Sequence, residues 1–113
     1  MAKWNEYFLR KTLEGIDIIL KYSHGKNKEE LYDEPVLLDA IIFRMIQMSE
    51  HMNNISDDFK TRYSNIAWND IKGFRNRLVH SYGSVDLSFV FNAISVDIPK
   101  LEKDLLIILK SIN

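Results

Sequence analysis

Apolar side chains recur at helical spacing along almost the whole of this chain, and nowhere do they alternate as a half-buried strand would. From about Lys3 to Tyr22, Trp4, Phe8, Leu13, Ile16, Ile19 and Leu20 mark one face, with Lys and Glu on the other. His24-Gly25 closes this helix, the glycine serving as a left-handed stop. A histidine beside a terminal glycine more often meets the last carbonyls of a helix than a ligand. Lys28 to Tyr32 holds a short helical possibility. Pro35 then stands where a missing N–H costs nothing, at the start of a helix reaching about Asn53. Leu38, Ile41, Ile42, Met45, Ile46, Met48 and Met52 give that helix a broad apolar face, which predicts that it is the most buried one. The methionines read as gap-filling core rather than as an adaptable binding surface. Glu50 and His51 diverge by about 100° on it and, with no second ligand pair in view, read as a solvated helix end.

Ser56, followed by Asp57 and Asp58, has the chemistry of an N-cap with an acidic first turn and opens a short helix to about Tyr63. After a turn at Ser64-Asn65 comes a helix from Trp68, for which Gly83 supplies a stop. Beyond Gly83, Ser84 or Asp86 caps a last segment in which Leu87, Val90, Phe91, Ile94, Ile98, Leu101, Leu105, Ile108 and Leu109 keep helical spacing. Pro99 interrupts it, so the helix kinks there or one ends and another begins. The expected fold is all-α: one domain over residues 1–113, an antiparallel four-helix bundle with an additional short helix and a Pro-kinked C-terminal helix.

The helix after the turn is the stretch with chemistry. On a wheel of about 100° per residue, Ile71, Phe74 and Leu78 fall within roughly 60° and form its core face. Arg75 and Tyr82 lie on the shoulder of that stripe. Asn76 and His80, four apart, stack and point outward, as does Gly73. A glycine in a helix interior costs about 1 kcal/mol relative to alanine; close approach of another backbone or a ligand is one reason to keep it. Taken alone, an exposed side bearing Arg, Asn, Arg and His is most often a solvated face.

The run Arg75-Asn76-x-x-x-His80-x-Tyr82 resembles the Arg-x-x-x-x-His-x-Tyr motif of the HEPN superfamily, and within it the HepT-like branch, the toxin half of MNT–HEPN pairs. The approach from Ile55 to Trp68 is similar to that family too, apart from Ala67 where many relatives have proline before the tryptophan. The resemblance covers nearly the whole chain. It implies a helical bundle and a metal-independent endoribonuclease without a cofactor. It also implies Arg75 and His80 as the catalytic pair, with Asn76 orienting the arginine. It implies, further, that Tyr82 is the acceptor on which an MNT-type nucleotidyltransferase antitoxin places AMP, as in a type VII-like toxin–antitoxin pair.

The chemistry is coherent with those roles. If a second copy covers the face carrying Asn76 and His80, a two-fold homodimer sets both motif helices across a shared groove. Histidine can take a proton from a ribose 2′-hydroxyl or give one to the leaving oxygen. Arginine matches the charge that develops on phosphate oxygens. Cleavage would leave a cyclic phosphate, and DNA would be spared. The substrate would be RNA, whether tRNA or mRNA. The rival reading keeps the same residues as phosphate ligands in a non-catalytic nucleotide- or substrate-binding companion of a minimal nucleotidyltransferase.

Charge and composition narrow the rest. Lys plus Arg number 15 against 16 Asp plus Glu, so an RNA site must be a local patch, for which Lys72, Arg75 and Arg77, with only Asp70 nearby in sequence, are the candidates. The absence of cysteine excludes disulfides and thiolate chemistry. No apolar run approaches the roughly 20 residues of a membrane span, and acidic residues near the N-terminus do not suit a signal peptide. A cytoplasmic protein with no membrane contact is expected.

Overall fold

A computed structural model describes residues 2–80 and 86–112. The elements, in order, are α1 (Ala2–Ser23), α2 (Lys28–Tyr32), α3 (Pro35–Asn53), α4 (Asp57–Arg62), α5 (Trp68–His80), α6 (Leu87–Asn92), a π-helical turn (Ala93–Asp97) and α7 (Ile98–Ile112). No strand occurs among the described residues. The fold is an all-α bundle in which α1, α3, α5 and the α6–α7 rod are the long members and α2 and α4 are two short ones. None of these helices is long and apolar enough to cross a membrane.

Local chemistry sets the boundaries. Gly25 has φ +76, the left-handed stop. Asn27 and Glu30 form a reciprocal capping box that starts α2. Pro35 opens α3, and Ser56 caps α4 through its hydroxyl. Of the two candidate caps for the last segment, Asp86 is seen in place, its carboxylate accepting from the Ser88 and Phe89 amides; Ser84 lies outside the described residues. The interruption at Pro99 takes the form of a π-helical turn just before it, a wider turn of the same rod rather than a separate helix.

α1 and α3 pack antiparallel along their length: Phe8 stacks on His51, and a Cβ added at Gly15 would lie 3.5 Å from the Met48 Cβ. α3 then lies beside α5, and α7 closes on α1. The core between them holds Leu9, Ile16, Ile19, Met45, Met48, Met52, Leu78, Ile98, Leu105 and Ile108, all buried. The methionines of α3 are thus core, as their spacing suggested. Hydroxyls that enter this interior bond back to their own helix: Thr12 to the Phe8 carbonyl (2.8 Å), Ser23 to Ile19 (2.7 Å) and Ser49 to Met45 (2.8 Å).

Two expectations shift. Trp4 is not on the core stripe but 58% exposed, edge-on to Tyr7 at the open end of α1. And α3, though central, is not covered all round: Val36 and Phe43 are 83% and 60% exposed on its outer line. Its neighbours α1 and α5 flank that line, and no described element lies over it.

Candidate functional site

Trp68 fixes the start of α5. Its indole Nε1 donates to the Tyr63 carbonyl at 3.0 Å, so the helix leaves the α4 turn in one direction. Leu78 is buried, with Ile71 and Phe74 half-buried beside it. The remaining positions divide into three by geometry. Arg75 lies on the flank facing α3, Arg77 on the flank facing α6, and Asn76, His80 and Gly73 on the outward side between them.

Like Asn76 beside it, Arg75 is half-buried. Its Nε–H donates to the Glu50 carboxylate of α3, forming an ion pair, and its Nη1 donates to the Asn76 carboxamide oxygen at 3.2 Å. The guanidinium is therefore gripped from two sides. Glu50 and His51 accordingly do not form a solvated helix end. Glu50 turns to α5 and His51 to α1, where it stacks on Phe8 at 6.1 Å between ring centres. Burial, aided by Lys11, holds the His51 imidazole below its usual pKa, against the opposing pull of Glu14 and Glu50. Nothing near Glu50 in sequence announces its partner, which lies 25 residues away; only the register of α3 against α5 does.

His80 is exposed at the last position of α5. It stands five residues after Arg75, which places the two about 140° apart around the helix. Asn76 and His80 share a face; Arg75 and His80 do not. Gly73 opens outward: apart from its own helix backbone, no atom of the described residues lies within 4 Å of where a Cβ would sit. Tyr82 and Gly83, on which the acceptor role and the helix stop were expected, lie outside the described residues.

The expected basic patch is less basic than its sequence. Lys72 is exposed and stays on the outward side. Arg77, by contrast, reaches Asp86 at 3.4 Å and lies over the Phe89 ring, 3.8 Å from its centre. Folding thus sets an acidic partner beside each arginine, Glu50 for Arg75 and Asp86 for Arg77, both remote in sequence. Two concavities lie elsewhere: a groove of about 630 Å³ between α1 and α3, and one of about 320 Å³ among α3, α5 and α7. Neither contains Arg75, Asn76 or His80. Arg75 and Asn76 are half-buried and His80 is exposed, all three outside both grooves.

Comparison with known proteins bears out the family that the sequence resembles. The family described as Ribonuclease HepT-like matches residues 12–108. A Methanocaldococcus jannaschii protein named "Gamma-glutamylcyclotransferase and putative RNase" is 29% identical over the whole of this chain, which spans about half of that relative's length. A Caldanaerobacter subterraneus protein named "Putative RNase" is 27% identical over 85% of the chain and 86% of its own length. A Thermococcus cleftensis protein named "Probable ribonuclease HepT" is 26% identical over 90% of the chain and 93% of its own. No solved structure matches. With 97 of its 113 residues matched and the Arg75, Asn76 and His80 helix inside that span, the chain belongs to the HepT-like ribonuclease family.

Proposed function

We propose that this chain is a metal-independent endoribonuclease, the toxin of a toxin–antitoxin pair, acting as a homodimer and silenced by nucleotidyltransferase modification of Tyr82. The observation that carries the proposal is the state of α5: a guanidinium already gripped by Glu50 and Asn76 on one flank, and an exposed imidazole at the end of the helix, on the outward face it shares with Asn76.

The angle between Arg75 and His80 supports a composite site. One helix cannot easily turn both toward one phosphodiester, whereas two helices meeting across a two-fold axis bring four such groups to one groove. The apolar positions that a second copy would cover lie on the same side. Phe43 stands seven residues before Glu50 on α3, and Val79 four after Arg75 on α5, and both are exposed. Uncovered aromatic surface beside a polar site is characteristic of an interface.

In that groove His80 accepts the 2′-hydroxyl proton as the 2′-oxygen attacks phosphorus. The 5′-oxygen leaves and takes up a proton from the histidine of the other copy or from this one in turn. The products are a 2′,3′-cyclic phosphate and a 5′-hydroxyl. Arg75 stabilises charge on the non-bridging oxygens, and Lys72 draws the backbone in. Arg77, held by Asp86 on the other flank, contributes to RNA binding at the rim. At Tyr82, the phenol oxygen attacks the α-phosphorus of a nucleoside triphosphate on the partner enzyme and pyrophosphate leaves. The nucleotide then fills the groove with negative charge.

The test is cleavage of total RNA and of tRNA in EDTA by the purified protein beside His80→Ala, with analysis of the ends. Cleavage giving cyclic phosphate ends, lost in the variant, is the expected result. A dimer with unmodified Tyr82 that cuts nothing would instead favour the nucleotide-binding companion.

A further inference from the structure

From the grip on Arg75 we infer that Glu50 is a positioning residue for phosphate recognition: it holds the guanidinium so that the outer edge of the fork faces the groove. The inference rests on the ribonuclease reading above but extends to a residue outside the motif.

Arginine carries a long, rotamer-rich side chain, and its value to a phosphate depends on where the planar fork is held. Here Nε is committed to the Glu50 carboxylate and Nη1 to the Asn76 oxygen. Neither bond engages Nη2, and no hydrogen bond joins it to a described residue. One Nη2 N–H runs parallel to Nε–H, on the Glu50 side, and the other points out along the far end of the fork. That end is the part able to meet a phosphate oxygen without breaking the existing bonds. Asn76 is a neighbour on the same helix and moves with Arg75. Glu50 comes from α3, so its bond ties the guanidinium to another helix of the bundle.

The carboxylate acts in two opposed directions. It fixes the fork, which favours the transition state, and it places a negative charge beside the site, which disfavours RNA in the ground state. Removing it should therefore weaken catalysis and strengthen binding. A merely structural glutamate would leave both unchanged, or damage both together with the fold.

The variants are Glu50→Ala and Glu50→Gln. In single-turnover and steady-state cleavage, E50A is expected to lose about tenfold or more in kcat while KM falls. E50Q keeps an oxygen acceptor for Nε but no charge, so it should hold kcat within about threefold of wild type while KM also falls. A kcat in E50A equal to wild type overturns the positioning role and leaves the ribonuclease standing. A readout independent of cleavage is the Arg75 Nε–H signal in ¹H–¹⁵N spectra, assigned with Arg75→Lys. It should be protected from exchange in wild type and E50Q and lost in E50A. On addition of a 2′-O-methyl oligonucleotide, which cannot be cleaved, it should move in the first two. If the wild type cuts no RNA, these spectra decide the matter alone: a protected Arg75 signal that persists in E50A refutes the inference, and its loss there upholds it.

Discussion

Asn5 and Ser56 are joined reciprocally: the Asn5 Nδ2 donates to the Ser56 hydroxyl at 3.0 Å, and the Ser56 amide donates to the Asn5 Oδ1 at 3.0 Å. Asn5 is 6% exposed, and the same hydroxyl accepts from the Phe59 amide as the cap of α4. One carboxamide on α1 therefore fixes where α4 begins, and through Tyr63 and Trp68 the direction of the motif helix. Asn5→Leu, close in volume, leaves the Ser56 amide without its acceptor. It is expected to cost about 2 kcal/mol in urea unfolding. A loss below about 0.5 kcal/mol, the range of ordinary surface changes, would show that the pair is dispensable.

Asp86 serves two groups, and their weights differ. Its Oδ1 accepts from the Ser88 amide at 2.9 Å and the Phe89 amide at 3.3 Å, while its Oδ2 lies 3.4 Å from Arg77. Cap loss typically costs about 1 kcal/mol, whereas an exposed ion pair contributes under about 1 kcal/mol and often nothing. Asp86→Ala should lower the melting temperature and Asp86→Ser should restore most of it. If the serine variant melts with the alanine one, the ion pair matters more than the cap.

His51 makes stability depend on pH in one direction. Its folded pKa lies below its unfolded value because burial disfavours the charged imidazole, so the unfolded chain takes up the proton first. Stability is retained above the unfolded histidine value and lost as pH falls through it toward the folded one. Lys11, Glu14 and Glu50 are the charged groups facing it, the lysine adding to the shift and the carboxylates opposing it. His51→Phe keeps a ring against Phe8 and cannot titrate. The stability of this variant relative to wild type should rise between about pH 7.5 and about pH 5.5, where ordinary histidines protonate; a difference that stays flat with pH contradicts the assignment.

Phe43 is 60% exposed, so Phe43→Asp leaves the fold of the single chain nearly untouched. The expected effect is on assembly. Sedimentation should move from dimer to monomer at micromolar concentration, and RNA cleavage should fall with it. A wild-type protein that is itself monomeric would remove the composite site.

Tyr82→Phe separates activity from control. The phenylalanine variant should cleave RNA about as well as wild type but should gain no AMP from the partner nucleotidyltransferase. Detection of the adduct on that variant by mass spectrometry would place the acceptor elsewhere.

Most of the helices were legible because each carries its own local signals. Pro35 marks the start of α3, Gly25 the end of α1, and Asp86 one of two plausible caps for α6. The Asn27-x-x-Glu30 box at α2 is a signal of the same local kind. The spacing of Ile71, Phe74 and Leu78 is enough to orient α5, with Asn76, His80 and Gly73 on the side away from the core. What escaped depends on how separate helices meet. Glu50 has an ordinary place near a helix end until α5 is laid beside α3, and Asn5 looks like polar surface until Ser56 is brought to it. The π-helical turn before Pro99 is likewise a response to packing on both sides, for which one proline is an incomplete cue.

Gly73 has a consequence for how this protein balances being folded against being assembled. Apart from its own helix backbone, no atom of the described residues lies within 4 Å of its missing Cβ, so none of them requires the residue to be so small. Alanine there should raise the stability of an isolated chain by roughly 1 kcal/mol, the helix-propensity difference. The glycine is thus a local concession that no isolated copy benefits from. It leaves this point of the outward face open to close approach, where a second backbone or a nucleotide strand would come nearer than a side chain allows.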